Sequence, residues 1–400
     1  MKYLLLATAL VAAGPACAQS ITLKPLVDAR TRYETVDQNG IAKDAHALTF
    51  RLRTGVEAMS GRLSAIVEAQ GNLATNTSYF DGLHADPTRP LIADPDDIAL
   101  YRAQIRYAAK SFAITAGRQK IALDDERFVG PVGFRNNGQS FDAVRGEFTA
   151  IPHLKAEVSY VWSVRTIWGI DGLGARQQAI SGDNVLANLS YATPIGTITG
   201  FAYLVDQDEA AVQGFRLSSQ TYGARFAGSH VFAKAVKLSY QASFAGQSDY
   251  HRNPNTYRAN YYLIDVGLDL AQLKFGGGYE VLGADRGTAL TSFQTPLATL
   301  FKFQGWADKS LTTPPDGVRD MYGSAGYALR TGTSLGTVTF QAIYHRFDSD
   351  RSARRYGNEI NLLASMKIKR TTVSVRFADY DAKSLATNTR KVWLQADWVL

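Results

Sequence analysis

The chain has one cysteine, Cys17, among 400 residues, which leaves no disulfide framework and no cysteine metal centre. Beyond its first twenty residues it lacks any uninterrupted apolar run of the roughly 20 residues that a membrane-spanning helix requires. Methionine is scarce, with four residues against 20 tyrosines and 19 phenylalanines, a balance that favours sheet over helix. No repeat period supports a solenoid. Neither HExxH nor GxSxG occurs, and His46, His84, His153, His230, His251 and His345 are scattered. No nucleophile–base pair can be assembled around them, so no enzyme activity and no cofactor are expected.

What is present begins with MKYLLLATALVAAGPACA. Lys2, the apolar run Leu4 to Ala13 and the small-x-small Ala16-Cys17-Ala18 before Gln19 form a secretory signal peptide. A lipoprotein attachment at Cys17 is the weaker alternative, because Gly14 replaces the large apolar residue expected three positions upstream. Residues 1–18 are therefore expected to be cleaved, leaving 19–400 as one domain. The formal charge of +7 comes without basic runs, and in an exported chain it does not point to nucleic acid.

The mature region is dominated by apolar residues at every second position, the period of a strand with two unlike faces. LVDARTRYE sets Val27, Ala29, Thr31 and Tyr33 against Asp28, Arg30, Arg32 and Glu34. ALTFRLRTGVEA sets Leu48, Phe50, Leu52 and Val56 against Thr49, Arg51, Arg53 and Glu57. LKAEVSYVWSVR sets Leu154, Ala156, Val158, Tyr160, Trp162 and Val164 against Lys155, Glu157, Ser159, Ser163 and Arg165. KVWLQADWVL sets Val392, Leu394, Ala396, Trp398 and Leu400 against Trp393, Gln395 and Asp397. Brief connections alternate with long polar ones near 75–97, 119–140, 167–182, 206–218, 246–256, 282–318 and 381–390. The count reaches about eighteen strands of roughly ten residues, the length of a tilted membrane-crossing strand. The expected fold is all-β: a transmembrane antiparallel up-and-down β-barrel with short periplasmic turns and long extracellular loops. It would sit in the outer membrane of a Gram-negative bacterium. A soluble β-sandwich also alternates, but its inward face would not be apolar opposite Arg, Glu and Lys strand after strand.

In such a barrel the polar face lines a channel. Arg30, Arg32, Arg51, Arg53, Arg102, Arg106, Arg145, Arg165, Arg225 and Arg376 are placed on it, with the acids Asp28, Glu34, Glu57, Glu68, Glu147, Glu157 and Glu280 interspersed. Fixed guanidinium charge lowers the barrier for anions. The alternative for each arginine is an Arg–Glu ladder that braces the wall.

One stretch breaks the alternation. FQTPLATLFKFQGWADKSLTTPP, residues 293–315, packs Phe293, Leu297, Leu300, Phe301, Phe303 and Trp306 into the longest connection. Thr295-Pro296 reads as a helix N-cap with proline at the first position, and Leu297, Leu300, Phe301 and Gln304 follow at helical spacing until Gly305. A short helix is predicted. The stretch either packs on itself to stiffen the rim or constricts the pore. In the second case Phe301, Phe303 and Trp306 offer faces to solutes, with Asp308 in the constriction and Lys302 and Lys309 supplying charge. The loop at 75–97 is long enough to fold inward as a gate. Asp94, Asp96 and Asp97, like Asp124, Asp125 and Glu126, are weak candidates for calcium.

Three segments together resemble the alginate export family of outer-membrane barrels. They are GRQKIALDDERFVGPVGFRNNGQSFDAVRGEF (117–148), GYEVLGADRG (278–287) continuing to Tyr322, and FADYDA (377–382) through to DWVL; LVDARTRYETVDQ extends the likeness to the start. The resemblance implies an eighteen-strand lone-chain barrel whose basic lumen passes anionic polysaccharide or small anionic solutes by diffusion. It carries over Arg118, Gln119, Glu126, Arg127, Asp142 and Arg145, with Gln304, Trp306 and Asp308 in the loop motif. Polysaccharide export would bring periplasmic partners. The alternative is an uptake porin for small carboxylates or aromatic acids, and a structural or adhesin barrel would not require so charged a lumen.

Overall fold

The computed structural model describes residues 20–209, 214–332 and 336–400; the signal peptide expected at 1–18 lies outside these. The strands are β1 (Thr22–Gln38), β2 (Ala45–Ser60), β3 (Leu63–Ala74), β4 (Asp97–Ala108), β5 (Phe112–Gln119) and β6 (Ser140–Phe148). They continue as β7 (Leu154–Arg165), β8 (Ala179–Thr193), β9 (Gly196–Val205), β10 (Ser219–Ala233), β11 (Val236–Asp249) and β12 (Arg258–Leu270). The last six are β13 (Leu273–Leu282), β14 (Val318–Arg330), β15 (Thr337–Asp348), β16 (Arg355–Ile368), β17 (Thr371–Ala382) and β18 (Thr389–Val399). Each pairs antiparallel with its neighbours, and β1 pairs with both β2 and β18, so the eighteen-stranded sheet closes on itself. Closure satisfies the backbone groups that a bilayer cannot hydrogen-bond. Among the described residues no helix is long and apolar enough to cross a membrane.

The alternation seen in the sequence becomes the two faces of the wall. Leu52, Val67, Ile98, Ile105, Val158 and Ile264 are exposed on the outside, whereas Arg32, Arg51, Arg53, Glu68 and Glu157 are buried on the inside. Exposed aromatics gather near both strand ends: Tyr107, Phe112, Phe148, Tyr191 and Tyr327 toward the short turns, Tyr160, Trp162, Tyr222, Tyr262, Tyr279 and Tyr344 toward the long loops. Such girdles mark the two membrane interfaces. Several strands are longer than the ten residues expected: β1 has 17 and β2 has 16. Since about 9–11 residues suffice to cross, these project beyond the membrane.

β7 departs from its expected alternation. A register shift between Val161 and Ser163 buries Val164, expected toward lipid, opposite Phe141 and Ile180. Nor is the inner face uniformly polar. Phe201, Tyr203 and Val205 of β9 and Tyr261 and Leu263 of β12 are buried within the barrel and contribute to its largest apolar cluster.

Candidate functional site

Three long-loop connections, 75–96, 120–139 and 283–317, meet inside the barrel, and 120–139 is their hub. Wall arginines hold its backbone. Arg30 Nη1 donates to the Phe134 carbonyl at 2.7 Å and Arg32 Nη2 at 2.5 Å. Arg53 Nη2 donates to the Asn136 carbonyl at 3.2 Å. Arg32 also meets Asp94 at 3.1 Å, and Asp94 accepts the Asn136 N–H at 2.7 Å, which draws in the loop 75–96.

Two aromatic clusters fix the loops to opposite walls. Phe128 inserts among Phe201, Tyr203, Tyr261 and Phe293, with ring centroids 5.1–5.9 Å apart. Phe134 stacks on Phe301 at 3.3 Å, and both meet Trp393 of β18 edge-on near 6 Å. Trp306 stacks behind Phe301 at 5.9 Å. Phe301 therefore spends its faces on packing, while Phe303 and Trp306 border a chamber of about 240 Å³ that Asp265, Tyr322 and His345 line from the wall. His345 Nδ1 lies 2.9 Å from Asp320 and its ring packs against Phe347 and Tyr322.

The helix expected from Thr295 is absent; only a 3₁₀ turn at Leu300–Lys302 forms. Leu297 instead bridges to Val129, its carbonyl accepts the Gly130 N–H at 2.9 Å, and Thr299 N–H donates to the Glu126 carbonyl at 3.1 Å. The backbone groups a helix would need are used between loops, and Thr295 Oγ1 accepts from Arg127 at 3.2 Å instead of capping. Arg127 also pairs with Glu280 at 2.6 Å. Beyond Gln304 the backbone turns at Gly305 (φ 78°), where a Cβ would meet the Glu359 carboxyl carbon at 2.6 Å. That close approach lets Glu359 accept the Trp306 N–H at 2.5 Å and the Ala307 N–H at 2.9 Å.

Asp308 then closes the network, 2.9 Å from Arg135 and 3.0 Å from Lys391; Arg135 also reaches Glu34 at 3.4 Å. Burial raises the Asp308 carboxyl, but Lys391 and Arg135 outweigh it and hold the group below its ordinary range. Burial, then the neighbouring Lys391, lowers Lys309 to about 8.

The sequence-predicted arginines divide into two groups. Arg51 pairs with Asp28, Arg102 with Glu68, Arg106 with Glu147, Arg118 with Asp142, Arg145 with Glu157, Arg165 with Asp142, and Arg30 with Asp397, all within 3.3 Å. Arg225 lies 3.7 Å from Asp125 and 3.9 Å from Asp124. Arg225 thus ties the wall to the loop 120–139, whereas the other pairs are wall braces, and Gln119 joins those by donating to the Ala143 carbonyl at 3.0 Å. Among the described residues Arg53, Arg376, Lys120 and Lys309 have no carboxylate within ion-pair distance. Arg53 lies 4.2 Å over Tyr101 and Arg376 bonds Ser374 at 3.0 Å. Burial, then Arg53 and Arg102, lowers Lys120. Glu57 sits at the short-turn end of β2 opposite Lys24, far along the chain register from the loop layer.

The calcium candidates do not converge. Asp94 is neutralised by Arg32, Asp96 accepts the Ala74 N–H, and Asp97 accepts the Ile170 N–H at 2.8 Å. Asp125 accepts from Gln241, and Glu126 pairs with Lys302 at 3.1 Å. Each carboxylate already has a different protein donor, and no metal-holding group exists among the described residues. Sequence reasoning missed Arg135, Phe128 and Phe134. The two phenylalanines were visible as bulky apolar residues in a polar loop, and the partner of Phe134, Trp393, as an aromatic on an otherwise polar face.

Residues 25–160 match the family model described as Alginate export. Acinetobacter baumannii OccAB4 superposes with a TM-score of 0.72 at 12% identity, covering 96% of this chain and 99% of that one. Pseudomonas aeruginosa OpdQ gives 0.66 at 14%, covering 94% and 98%, and P. aeruginosa OpdK with vanillate 0.68 at 12%, covering 94% and 98%. A sequence search of curated proteins found no match. The structural likeness shows the fold. With the family match, it makes this chain an alginate-export-like barrel of the Gram-negative outer membrane, with the architecture of a channel.

Proposed function

We propose that this outer-membrane channel passes small anionic solutes, carboxylates foremost, by diffusion through a lumen narrowed by its own loops, and that it does not conduct a polysaccharide chain. The observation that carries this is the bridging of the lumen by 120–139 and 283–317, joined through Arg127–Glu280 and Arg135–Asp308–Lys391. Around that bridge, among the described residues, Arg53, Lys120, Lys309 and Arg376 are cations with no carboxylate within ion-pair distance. A fixed positive excess lowers the electrostatic barrier for an anion. The paired acids keep attraction weak enough for release. Residues 19–400 act as one domain, with the signal sequence removed.

The match to an alginate export model favours the second reading, passage of an anionic polysaccharide. Proteoliposome flux separates the two. A small-solute channel admits monomeric uronate and aromatic or aliphatic monocarboxylates at comparable rates and excludes uronate oligomers of several units. Passage of long oligomers through the intact chain overturns the proposal.

A further inference from the structure

The outward face of β13–β17 differs from an ordinary lipid-facing wall in two places on the same strands. At the long-loop end, Arg319 of β14 and Arg346 of β15 occupy outward positions, in register with the exposed Met321 and Tyr344 sets. Together with Tyr279, Met321, Asp348 and Ala353 they enclose a cavity of about 290 Å³. Each guanidinium is oriented by its Nε: Arg319 to Asp350 at 2.9 Å, Arg346 to Asp348 at 2.9 Å. Arg319 Nη2 donates further to the Asp350 carbonyl at 2.8 Å. Arg319 Nη1 and both Nη atoms of Arg346 have no partner among the described residues, and the side chains are 38% and 46% exposed. The forks are held by one edge and open at the other.

Below them lies a furrow of about 580 Å³. Ala325, Ala342 and Ala364 form its floor, and Phe275, Tyr327, Phe340 and Phe377 rise around it. From Tyr279 to Phe275 and from Arg346 to Ala342 is four residues, about 13 Å along a strand. That spacing is within the hydrocarbon depth of one leaflet, about half of a ~30 Å core.

We propose that this face binds a phosphate-bearing, multiply acylated lipid of the outer leaflet, its phosphate on Arg319 and Arg346 and an acyl chain in the furrow beneath. Guanidinium forks match phosphate oxygens bidentately. Charge without the furrow would serve any anion, and a furrow without charge would serve any chain. The two aligned select a ligand that has both.

The test uses the full chain purified in detergent, with bis-phosphorylated lipid A titrated in native mass spectrometry. The expected result is one tightly held lipid per barrel. Arg319→Gln with Arg346→Gln weakens it at least tenfold, and so does Ala342→Phe or, independently, Ala325→Leu. Bilayer conductance is unchanged in all of these, since none faces the lumen, which confirms folded barrels. Wild-type affinity in the arginine variant overturns the headgroup assignment, and wild-type affinity in both furrow variants overturns the acyl assignment. Displacement of the lipid by excess inorganic phosphate shows an anion site only and refutes the lipid proposal.

Discussion

Replacing Asp308 by asparagine tests how far charge governs this lumen. The carboxylate accepts from Arg135 at 2.9 Å and from Lys391 at 3.0 Å, and charge-assisted hydrogen bonds are worth roughly 1.5–3 kcal/mol each. Asparagine keeps the shape but leaves two buried cations, of which Arg135 retains Glu34 at 3.4 Å and Asp94 at 3.9 Å. Loop docking should weaken by roughly 3 kcal/mol. It should not be abolished, because Glu359 still holds Trp306 and Ala307 and the aromatic stack remains. Selectivity follows from the one positive charge gained. At about 7 Å across lumenal water that charge is worth roughly 0.6 kcal/mol to a monovalent anion, nearly a threefold change in anion permeability. Reversal potentials in planar bilayers under a salt gradient centred near 0.1 M read this directly, with flickering between conductance levels reporting the loosened loop. The shift should vanish near 1 M, where the screening length falls to about 3 Å. An Asp308→Asn channel with wild-type reversal potential and quiet wild-type conductance at 0.1 M refutes the reasoning.

Lys309 is a cation below about pH 8 and neutral above it, so anion preference should drop as pH rises through 8, and Lys309→Gln should remove that step from the reversal-potential titration. Gly305→Ala places a Cβ against the Glu359 carboxylate in a backbone region that suits glycine; with Trp306 and Ala307 displaced, noise in single-channel records should increase while the barrel still shows heat-modifiable migration. Arg376→Ala or Arg53→Ala should lower anion preference about two- to threefold, since neither has a carboxylate to release. Arg118→Ala likewise removes one positive charge and leaves Asp142 with Arg165 alone at 3.3 Å, so it should lower anion preference by a similar factor.

The wall was legible because its code is local. Arg30 and Arg32 against Ala29 and Thr31 announce inside and outside within a few residues, and the same alternation recurs along the chain. β9 and β12 were less legible: inward Phe201 and Tyr261 sit beside outward Ile198 and Ile264, so no contrast reveals which face is which. The loop at 283–317 was legible as an apolar body that must pack, but not as to how. Its Thr-Pro start and helical spacing are local preferences worth about a kilocalorie, and pairing with Val129 and Gly130 overrode them. The partner of Arg127 lies 153 residues away at Glu280, and that of Arg135 lies 173 away at Asp308. Such pairs become visible only once the barrel closes.

The inward aromatics of β9, β12 and β18 explain why the loops are inside at all. Phe201, Tyr203, Tyr261 and Trp393 would face water in an open eighteen-stranded lumen, and covering a large apolar side chain is worth roughly 1.5–3 kcal/mol. Phe128 covers the first three, and Phe134 with Phe301 covers the fourth. Because these contacts lie on opposite walls, one loop pair must cross the lumen to make both. Docking therefore rests first on apolar burial, and the ion pairs, which repay their own desolvation only in part, refine position and charge. Width and sign of selectivity are then separable properties of one plug. Truncating Phe134 or Phe128 acts on width, whereas neutralising Asp308, Lys309 or Arg376 acts chiefly on sign.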